Sequence, residues 1–280
     1  MCEAQSHTNM AVLKFTGRLF SQAACKHIKT LTGRICYDAY SEKGHAMQAV
    51  IQNKLQHTER ERHIQILWAI ESGSRAWGFA SPDSDYDVRA VYVQAPERYL
   101  QIDAAEEGFE WIEDEWFDVG AWDLRKTLRL LRSSNAVVLE WLQSPIIYQG
   151  DLVFHAEIWD LALAYFQPKA ALYHYRGIAK TASAAFQADG SIRLKKWFYV
   201  LRPLLAALWV AQHQTIAPMT LEELLVGQSD DIRQRLWDLV GFKNEQSEAY
   251  VFTPDAVLQL WIADLWQQTE VALPERTVPD

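Results

Sequence analysis

The stretch that decides the fold is IQILWAIESGSRAWGFASPDSDYDVRAVYV, residues 64–93. Its first seven residues are rich in apolar and β-branched side chains, which predicts a buried strand. Residues 71–75 hold a Gly-Ser pair and predict a turn, and residues 80–85 are rich in Pro, Ser and Asp and predict a loop. Residues 86–93 alternate between apolar and polar side chains and predict a second strand. The stretch therefore predicts two strands joined by a polar connection.

Outward from this stretch, the pattern changes from mixed to helical. Residues 47–62 predict a helix, residues 109–119 a third strand and residues 121–132 an amphipathic helix. From Asn135 onward the pattern is helical almost to the end; Asp189-Gly190 marks a turn, and Pro203 and Pro218 mark helix boundaries or kinks. The expected fold class is α+β, a small mixed sheet followed by an all-helical domain.

We expect three regions along the chain. Residues 1–46 carry six basic and three acidic residues and no tryptophan, and they predict a poorly ordered extension or translated sequence upstream of a start at Met47. A transit peptide is the alternative, because such peptides are basic and poor in acids. Residues 47–148 would then form the first domain and residues 149–280 the helical domain.

Composition excludes several classes of protein. The chain has 280 residues, of which 49% are hydrophobic and 22% charged, which is ordinary for a globular protein and excludes extensive disorder. No apolar run reaches the ~18 residues of a membrane span, so we expect no membrane association. The net charge of −9 argues against nucleic-acid binding over the whole surface. The three cysteines form no disulfide or zinc pattern, and they predict a reducing compartment and a cytoplasmic location.

Three aspartates predict a metal-dependent active site. Asp85 and Asp87 are two residues apart, so in a strand their carboxylates share a face, and like charges held so close favour a cation between them. Asp118 lies between apolar residues on the next predicted strand. Carboxylate oxygens suit Mg²⁺ or Mn²⁺, and three carboxylates can hold two ions about 3.5–4 Å apart. We therefore predict that all three aspartates are catalytic metal ligands.

The turn before these acids predicts a phosphate site. Gly73 permits close approach of a backbone to phosphate, and Ser74 adds a hydroxyl donor. A short helix over residues 74–78 would present free N–H groups to anionic oxygen. Arg75 and Arg89 flank the acids and are further candidates, although pairing with the carboxylates is the alternative role for Arg89. Glu71 at the strand end is a candidate for a supporting role.

The combination of Gly-Ser, ten residues, Asp-x-Asp and a third Asp resembles the signature of the polymerase-β-like nucleotidyltransferase superfamily. More closely, the chain resembles a bacterial family of predicted nucleotidyltransferases associated with RNA repair, over roughly residues 47–270. The segments that carry this likeness are ESGSRAWGF (71–79), SPDSDYDVR (81–89), GAWDLRK (120–126), LEWLQSP (139–145) and KKWFYVLRP (195–203). One departure is Ser72, where the superfamily usually has an apolar residue.

The resemblance implies roles for the residues already singled out. It implies that Ser74 contacts phosphate, that the three aspartates bind metal, and that a nucleoside monophosphate is moved from a nucleoside triphosphate such as ATP. The resemblance does not identify the acceptor.

A basic segment in the helical half predicts a surface that binds the triphosphate or the acceptor. Residues 169–202 carry seven basic residues and one acidic residue, a net +6 in a chain of net −9. Lys195, Tyr199 and Arg202 share a helix face, and we predict that Lys195 or Lys196 contacts the triphosphate with Tyr199 nearby. A solvated helix face is the alternative for any single lysine here.

The predicted activity is metal-dependent transfer of a nucleoside monophosphate to an acceptor hydroxyl. An RNA 3′ end fits the basic segment, while a protein or small-molecule hydroxyl fits the acidic overall charge. Two alternatives belong to other classes of function. One is a non-catalytic nucleotide-binding or partner-binding protein, and the other is a metal-dependent phosphodiesterase. The sequence leaves the oligomeric state open.

Overall fold

The structure, a computed structural model, describes residues 42–81, 84–103, 105–114, 117–245 and 249–272. The helices within these ranges are α1 (Glu42–Arg62), α2 (Gly73–Trp77), α3 (Pro96–Tyr99), α4 (Leu124–Arg132), α5 (Ala136–Trp141), α6 (Leu152–Tyr165), α7 (Pro168–Ser183), α8 (Leu194–His213), α9 (Leu221–Leu224), α10 (Asp230–Glu245) and α11 (Ala256–Val271). The strands are β1 (Ile64–Glu71), β2 (Tyr86–Gln94), β3 (Gly108–Asp114), β4 (Phe117–Asp123), β5 (Ile147–Gly150), β6 (Ile192–Arg193) and β7 (Val251–Phe252).

Five strands form one mixed sheet in the order β3-β4-β2-β1-β5. Strands β2 and β4 are parallel, and the other neighbouring pairs are antiparallel. The short strands β6 and β7 pair separately within the helical half. This arrangement of one mixed sheet followed by helices confirms the α+β class.

Both faces of the sheet are covered, which explains the nearly continuous apolar character of β1. On one face, Val88 and Tyr92 pack with Ile51 and Leu55 of α1. On the other face, Trp68, Ile70 and Val91 pack with α5 and α6 through residues that include Leu139 and Ile158. Burial on both sides holds β2 rigidly at the centre of the sheet.

The helical half is built around α8, whose side chains are buried along most of its length. Phe79, which follows α2, belongs to this helical core, and its ring stacks on Phe198 with centroids 4.8 Å apart. Packing of Phe79 therefore anchors the connection between β1 and β2 to the helical half. None of the helices in the described ranges is long and apolar enough to cross a bilayer.

Several predicted element boundaries are wrong. The third strand predicted over 109–119 is two strands, β3 and β4, because the chain reverses after residue 114. The helix predicted from residue 121 begins at Leu124, since residues 121–123 complete β4. Strand β5 falls in a region predicted to be helical, and its four residues are too few to show a period in sequence.

Helix ends also differ from expectation. Helix α1 begins at Glu42, so the predicted extension 1–46 overlaps a helix, while residues 1–41 lie outside the described residues. Of the two prolines predicted to mark boundaries or kinks, Pro203 lies inside α8 and Pro218 lies between α8 and α9. The domain boundary at 148/149 stays a prediction, and β5 pairs with β1 as far as Gly150.

Candidate active site

The turn after β1 brings α2 against β2. The Ser72 N–H donates to the carbonyl of Asp87 at 2.8 Å, which ties the turn to β2. Gly73 then takes a left-handed backbone conformation with φ +61°, and α2 begins there. A Cβ atom on Gly73 would lie 2.0 Å from Oδ2 of Asp87. The glycine is therefore required both by its φ angle and by the close approach of the Asp87 carboxylate.

We predict that Gly73→Ala will lower both stability and activity. The left-handed conformation costs a residue with a Cβ about 1–2 kcal/mol, and the new methyl group would also displace the Asp87 carboxylate. Thermal unfolding and nucleotide transfer would measure the two effects. Gly177→Ala is a suitable control, because among the described residues a Cβ built there meets nothing within 4 Å apart from its chain neighbours and the adjacent backbone of its own helix. Equal behaviour of the two variants would contradict the prediction.

The parallel pairing of β2 and β4 places Asp87 directly opposite Asp118. One guanidinium joins the two acids, because Nη2 of Arg89 lies 2.8 Å from Oδ2 of Asp118 and 3.5 Å from Oδ1 of Asp87. Asp85 precedes β2, and its Oδ2 lies 3.8 Å from Nζ of Lys195 on α8. The structure thus pairs Asp87 and Asp118 through Arg89 and places the Asp85 carboxylate near Lys195.

The charges at this site are only partly compensated. Burial raises the pKa of Asp87 above its ordinary value; Arg89 lowers it, the carboxylates of Asp118 and Asp85 raise it, and Lys195 lowers it. A half-buried acid beside two further acids favours an additional positive charge. The Asp87 carboxylate is therefore suited to bind a further cation in addition to the guanidinium of Arg89.

The donor set fits a hard divalent cation shared by two carboxylates. Asp87 and Asp118 offer only oxygen donors, and Arg89 already places one positive charge between them. Across the described ranges, no three His, Cys, Asp or Glu side chains are grouped closely enough to hold a metal ion. The participation of Asp85 as a third ligand stays a prediction.

Glu71, the candidate for a supporting role at the end of β1, is buried. Its Oε1 accepts the N–H of Asp87 at 2.9 Å, and its Oε2 lies 2.5 Å from the hydroxyl of Tyr148 on β5. Burial raises the pKa of Glu71 from 4.5 to about 8, while the hydrogen bond from Tyr148 opposes that rise. Glu71 therefore links β5 to the backbone of Asp87 across the sheet.

The raised pKa of Glu71 predicts that stability falls with rising pH. Between pH 4.5 and about 8 the folded protein keeps a proton that the unfolded chain releases. The free energy of unfolding should fall through this window, by at most ~1.4 kcal/mol per pH unit from this group. Glu71→Gln stays neutral and should flatten that slope, as measured by urea unfolding in EDTA at pH 5 and pH 8. An unchanged slope would contradict the prediction.

Ser74 and Arg75 both contact the loop that leads into β2. The Ser74 hydroxyl is buried and donates to Oγ of Ser84 at 3.3 Å. Arg75 donates to the carbonyls of Asp85 at 3.0 Å and Ser84 at 2.5 Å, and its guanidinium lies 3.9 Å from the ring centroid of Tyr86. These bonds hold the start of β2, so they support a bracing role for Arg75, whose contact with nucleotide stays a prediction.

The predicted helix face of α8 lies against the first half of the chain. Besides the approach of Lys195 to Asp85, the ring of Tyr199 meets Trp77 of α2 edge-on with centroids 5.5 Å apart. Lys196 is directed instead toward Tyr199, with Nζ 5.3 Å from the ring centroid. Of the two lysines, Lys195 is therefore the one beside the acids.

Part of the basic segment is neutralised inside the protein. Arg202 is buried and pairs with Glu140 of α5 at 2.9 Å. Arg176 donates to Thr269 of α11 at 2.6 Å and pairs with Glu270. Three basic side chains of the segment remain exposed, namely Lys169, Lys180 and Arg193. The accessible positive charge is thus smaller than the count of basic residues indicates.

Comparisons with known proteins give the family of the chain. A solved nucleotidyltransferase-like protein from Exiguobacterium sibiricum 255-15 aligns over 79% of this chain and 75% of its own, at 11% identity and a TM-score of 0.28. The uncharacterised protein YcgL of Bacillus subtilis (strain 168) is 40% identical over 179 residues, which is 64% of this chain and 69% of that protein. The model of the RNA repair pathway DNA polymerase beta family (RlaP) matches residues 47–279. The chain therefore belongs to the RNA repair pathway DNA polymerase beta family, a family of nucleotidyltransferases.

Proposed function

We propose that this protein moves a nucleoside monophosphate from a nucleoside triphosphate to an acceptor hydroxyl with the help of a divalent cation. One observation carries the proposal: Asp87 and Asp118 stand opposite each other on parallel strands, next to the glycine-serine turn. Lys195 of α8 approaches the neighbouring Asp85 from the helical half. Carboxylates, a phosphate-binding turn and a nearby lysine are the groups that phosphoryl transfer requires.

Different residues of the chain would hold the metal ion and the triphosphate. Asp87 and Asp118 would hold Mg²⁺ or Mn²⁺, with Asp85 as the proposed third ligand. When bound, such an ion supplies Lewis-acid stabilisation of the reacting phosphate and lowers the pKa of the attacking hydroxyl. Arg89, which pairs with both acids, would need to release one of them. Lys195 and Ser74 would hold the triphosphate oxygens.

The proposed reaction is an in-line displacement. The acceptor oxygen forms a bond to the α-phosphorus, and the bond between that phosphorus and the bridging oxygen of the pyrophosphate breaks. The hydroxyl proton is released to solvent, and pyrophosphate leaves with the electron pair. The products are therefore the nucleotidylated acceptor and pyrophosphate.

For the acceptor we propose an RNA 3′ hydroxyl. The description of the family names an RNA repair pathway. The exposed basic residues of α7 and β6, Lys169, Lys180 and Arg193, offer positive charge to a phosphate backbone. Binding of RNA through these residues should weaken steeply as salt is added.

The experiment is a transfer assay with a matched acceptor pair. Purified protein is incubated with Mg²⁺, each of the four α-labelled nucleoside triphosphates and RNA ending either in a 3′ hydroxyl or in a 3′ phosphate. We expect label on the 3′-hydroxyl RNA alone, with release of pyrophosphate and loss of transfer in EDTA. Label on protein or on a small molecule instead of RNA would show that the acceptor is that protein or small molecule. Absence of transfer to any acceptor in a cell extract would overturn the proposed function.

A further inference from the structure

Lys243 reaches from the helical half into the connection that leads to the acids. It lies near the end of α10 and is buried. Its Nζ donates to the carbonyl of Phe79 at 3.2 Å and to Oγ of Ser81 at 3.1 Å. Burial of an ammonium group is unfavourable unless acceptors surround it. Lys243 therefore couples the position of α10 to this connection.

The hydroxyl of Ser81 begins a line of hydrogen bonds that ends at the predicted phosphate-binding serine. Oγ of Ser81 lies 2.9 Å from Oγ of Ser84, and the Ser81 N–H also donates to Oγ of Ser84 at 2.9 Å. Oγ of Ser84 lies 3.3 Å from Oγ of Ser74. All three serines are buried. A continuous buried chain thus joins Lys243 to Ser74.

The ammonium group gives this chain a preferred direction. An ammonium can only donate, so Ser81 Oγ accepts from Lys243 and its own hydrogen can go to Ser84. In that direction Ser84 would accept twice from Ser81, through the N–H and the hydroxyl, and would give its own hydrogen to Ser74. Ser74 can in turn give its hydrogen to an anionic oxygen. Hydrogen bonds in such a chain strengthen one another.

In the structure the last link runs the other way, because Ser74 donates to Ser84. Ser84 Oγ then accepts from Ser74 and from the Ser81 N–H, so its own hydrogen goes to Ser81, and a phosphate oxygen would reverse both hydroxyl links by rotation of the hydroxyls. The hydrogen bonds from Lys243 to Ser81 and from the Ser81 N–H to Ser84 stay as they are. The arrangement is therefore ready to present the Ser74 hydrogen to a phosphate with only hydroxyl rotations.

We propose that Lys243 is a positioning residue that, through Ser81 and Ser84, directs the Ser74 hydroxyl toward a phosphate of the nucleoside triphosphate. The inference rests on the proposed function and adds to it a contribution from the helical half to phosphate binding. It assigns Lys243 no contact with the nucleotide itself.

The test is a double-mutant cycle on nucleotide affinity, measured by equilibrium dialysis with Mg²⁺. Each of the four ribonucleoside triphosphates is tried, and the one that binds wild type most tightly is used. We expect Lys243→Met to weaken nucleotide binding about 10-fold, a change of the size expected when a hydrogen bond to a charged group is lost. In a Ser74→Ala background the same substitution should have no further effect. Arg233→Met, at an exposed basic residue of the same helix α10, is the control and should leave affinity unchanged.

The outcomes separate this inference from the proposed function. If Lys243→Met weakens binding by the same factor with and without Ser74, Lys243 does not act through Ser74 and the inference is wrong, while the function stands. If wild type binds no nucleoside triphosphate, both are overturned. Should Lys243→Met fail to fold, Ser81→Ala serves in its place, and unchanged affinity in that variant would overturn the inference.

Discussion

Asp87→Asn should reduce nucleotide transfer to near background, a fall of at least about 10³-fold, while the protein still folds. The loss of one preorganised electrostatic group at a reacting centre commonly has an effect of this size. The amide introduced by this substitution would keep the shape that fits beside Gly73 but would carry no negative charge. Burial already raises the pKa of Asp87, so the charged form is disfavoured in the fold, and its removal should leave stability unchanged or slightly higher.

Two measurements decide this prediction. Transfer from the labelled nucleoside triphosphate reports the chemistry, and thermal unfolding reports the fold. Asp264→Asn is the matched control, because Asp264 is an exposed acid on α11, away from β2 and β4. Turnover by Asp87→Asn at the wild-type rate would show that the active site lies elsewhere.

Arg202→Met should lower the free energy of unfolding by about 3–5 kcal/mol, the range measured when one partner of a buried ion pair is removed. Arg202 donates to Oε1 of Glu140 at 2.9 Å and, through Nε and Nη2, to the carbonyl of Met219 at 3.0 and 2.9 Å. Its guanidinium also lies 4.4 Å from the ring centroid of Trp77 in α2. Loss of the guanidinium would leave a buried carboxylate without its counter-charge.

Urea unfolding of single and double variants checks this prediction. Adding Glu140→Gln to Arg202→Met removes the uncompensated charge and should restore part of the lost stability. Arg193→Met is the control, because Arg193 is exposed on β6. A loss of less than about 1 kcal/mol in Arg202→Met, the value of an exposed pair, would contradict the burial argument.

The placement of the three aspartates at or on neighbouring strands could be predicted from local pattern. The alternation of residues 86–93 predicts β2, and the two-residue spacing of Asp85 and Asp87 follows from it. The structure confirms β2 over Tyr86–Gln94, with Asp85 just before it. Asp118 was expected on a neighbouring strand, and it lies on β4, directly opposite Asp87. Its parallel pairing was not predicted, because it depends on β3, which local pattern did not separate from β4.

The counter-charges of the site could not be predicted in the same way. Lys195 was a candidate because of its helix face, whereas Lys243 had no distinguishing neighbour in sequence. Lys243 and Ser81 are 162 positions apart, and Glu71 and Tyr148 are 77 apart. No periodicity connects residues at such separations, so only the packing of the helices on the sheet brings them together.

By itself, the sequence determined the class of the fold, the strands β1 and β2 and the family to which the chain belongs. These features depend on local spacing, burial period and motif, which are written in neighbouring residues. Only the tertiary structure decided that Arg89 joins Asp87 to Asp118 and that Lys243 of α10 contacts the connection before β2. It also decided that Glu71 accepts hydrogen bonds from the Asp87 N–H and the Tyr148 hydroxyl. The physical reason is that these contacts depend on how separate elements pack together, which no periodic pattern of neighbouring residues specifies.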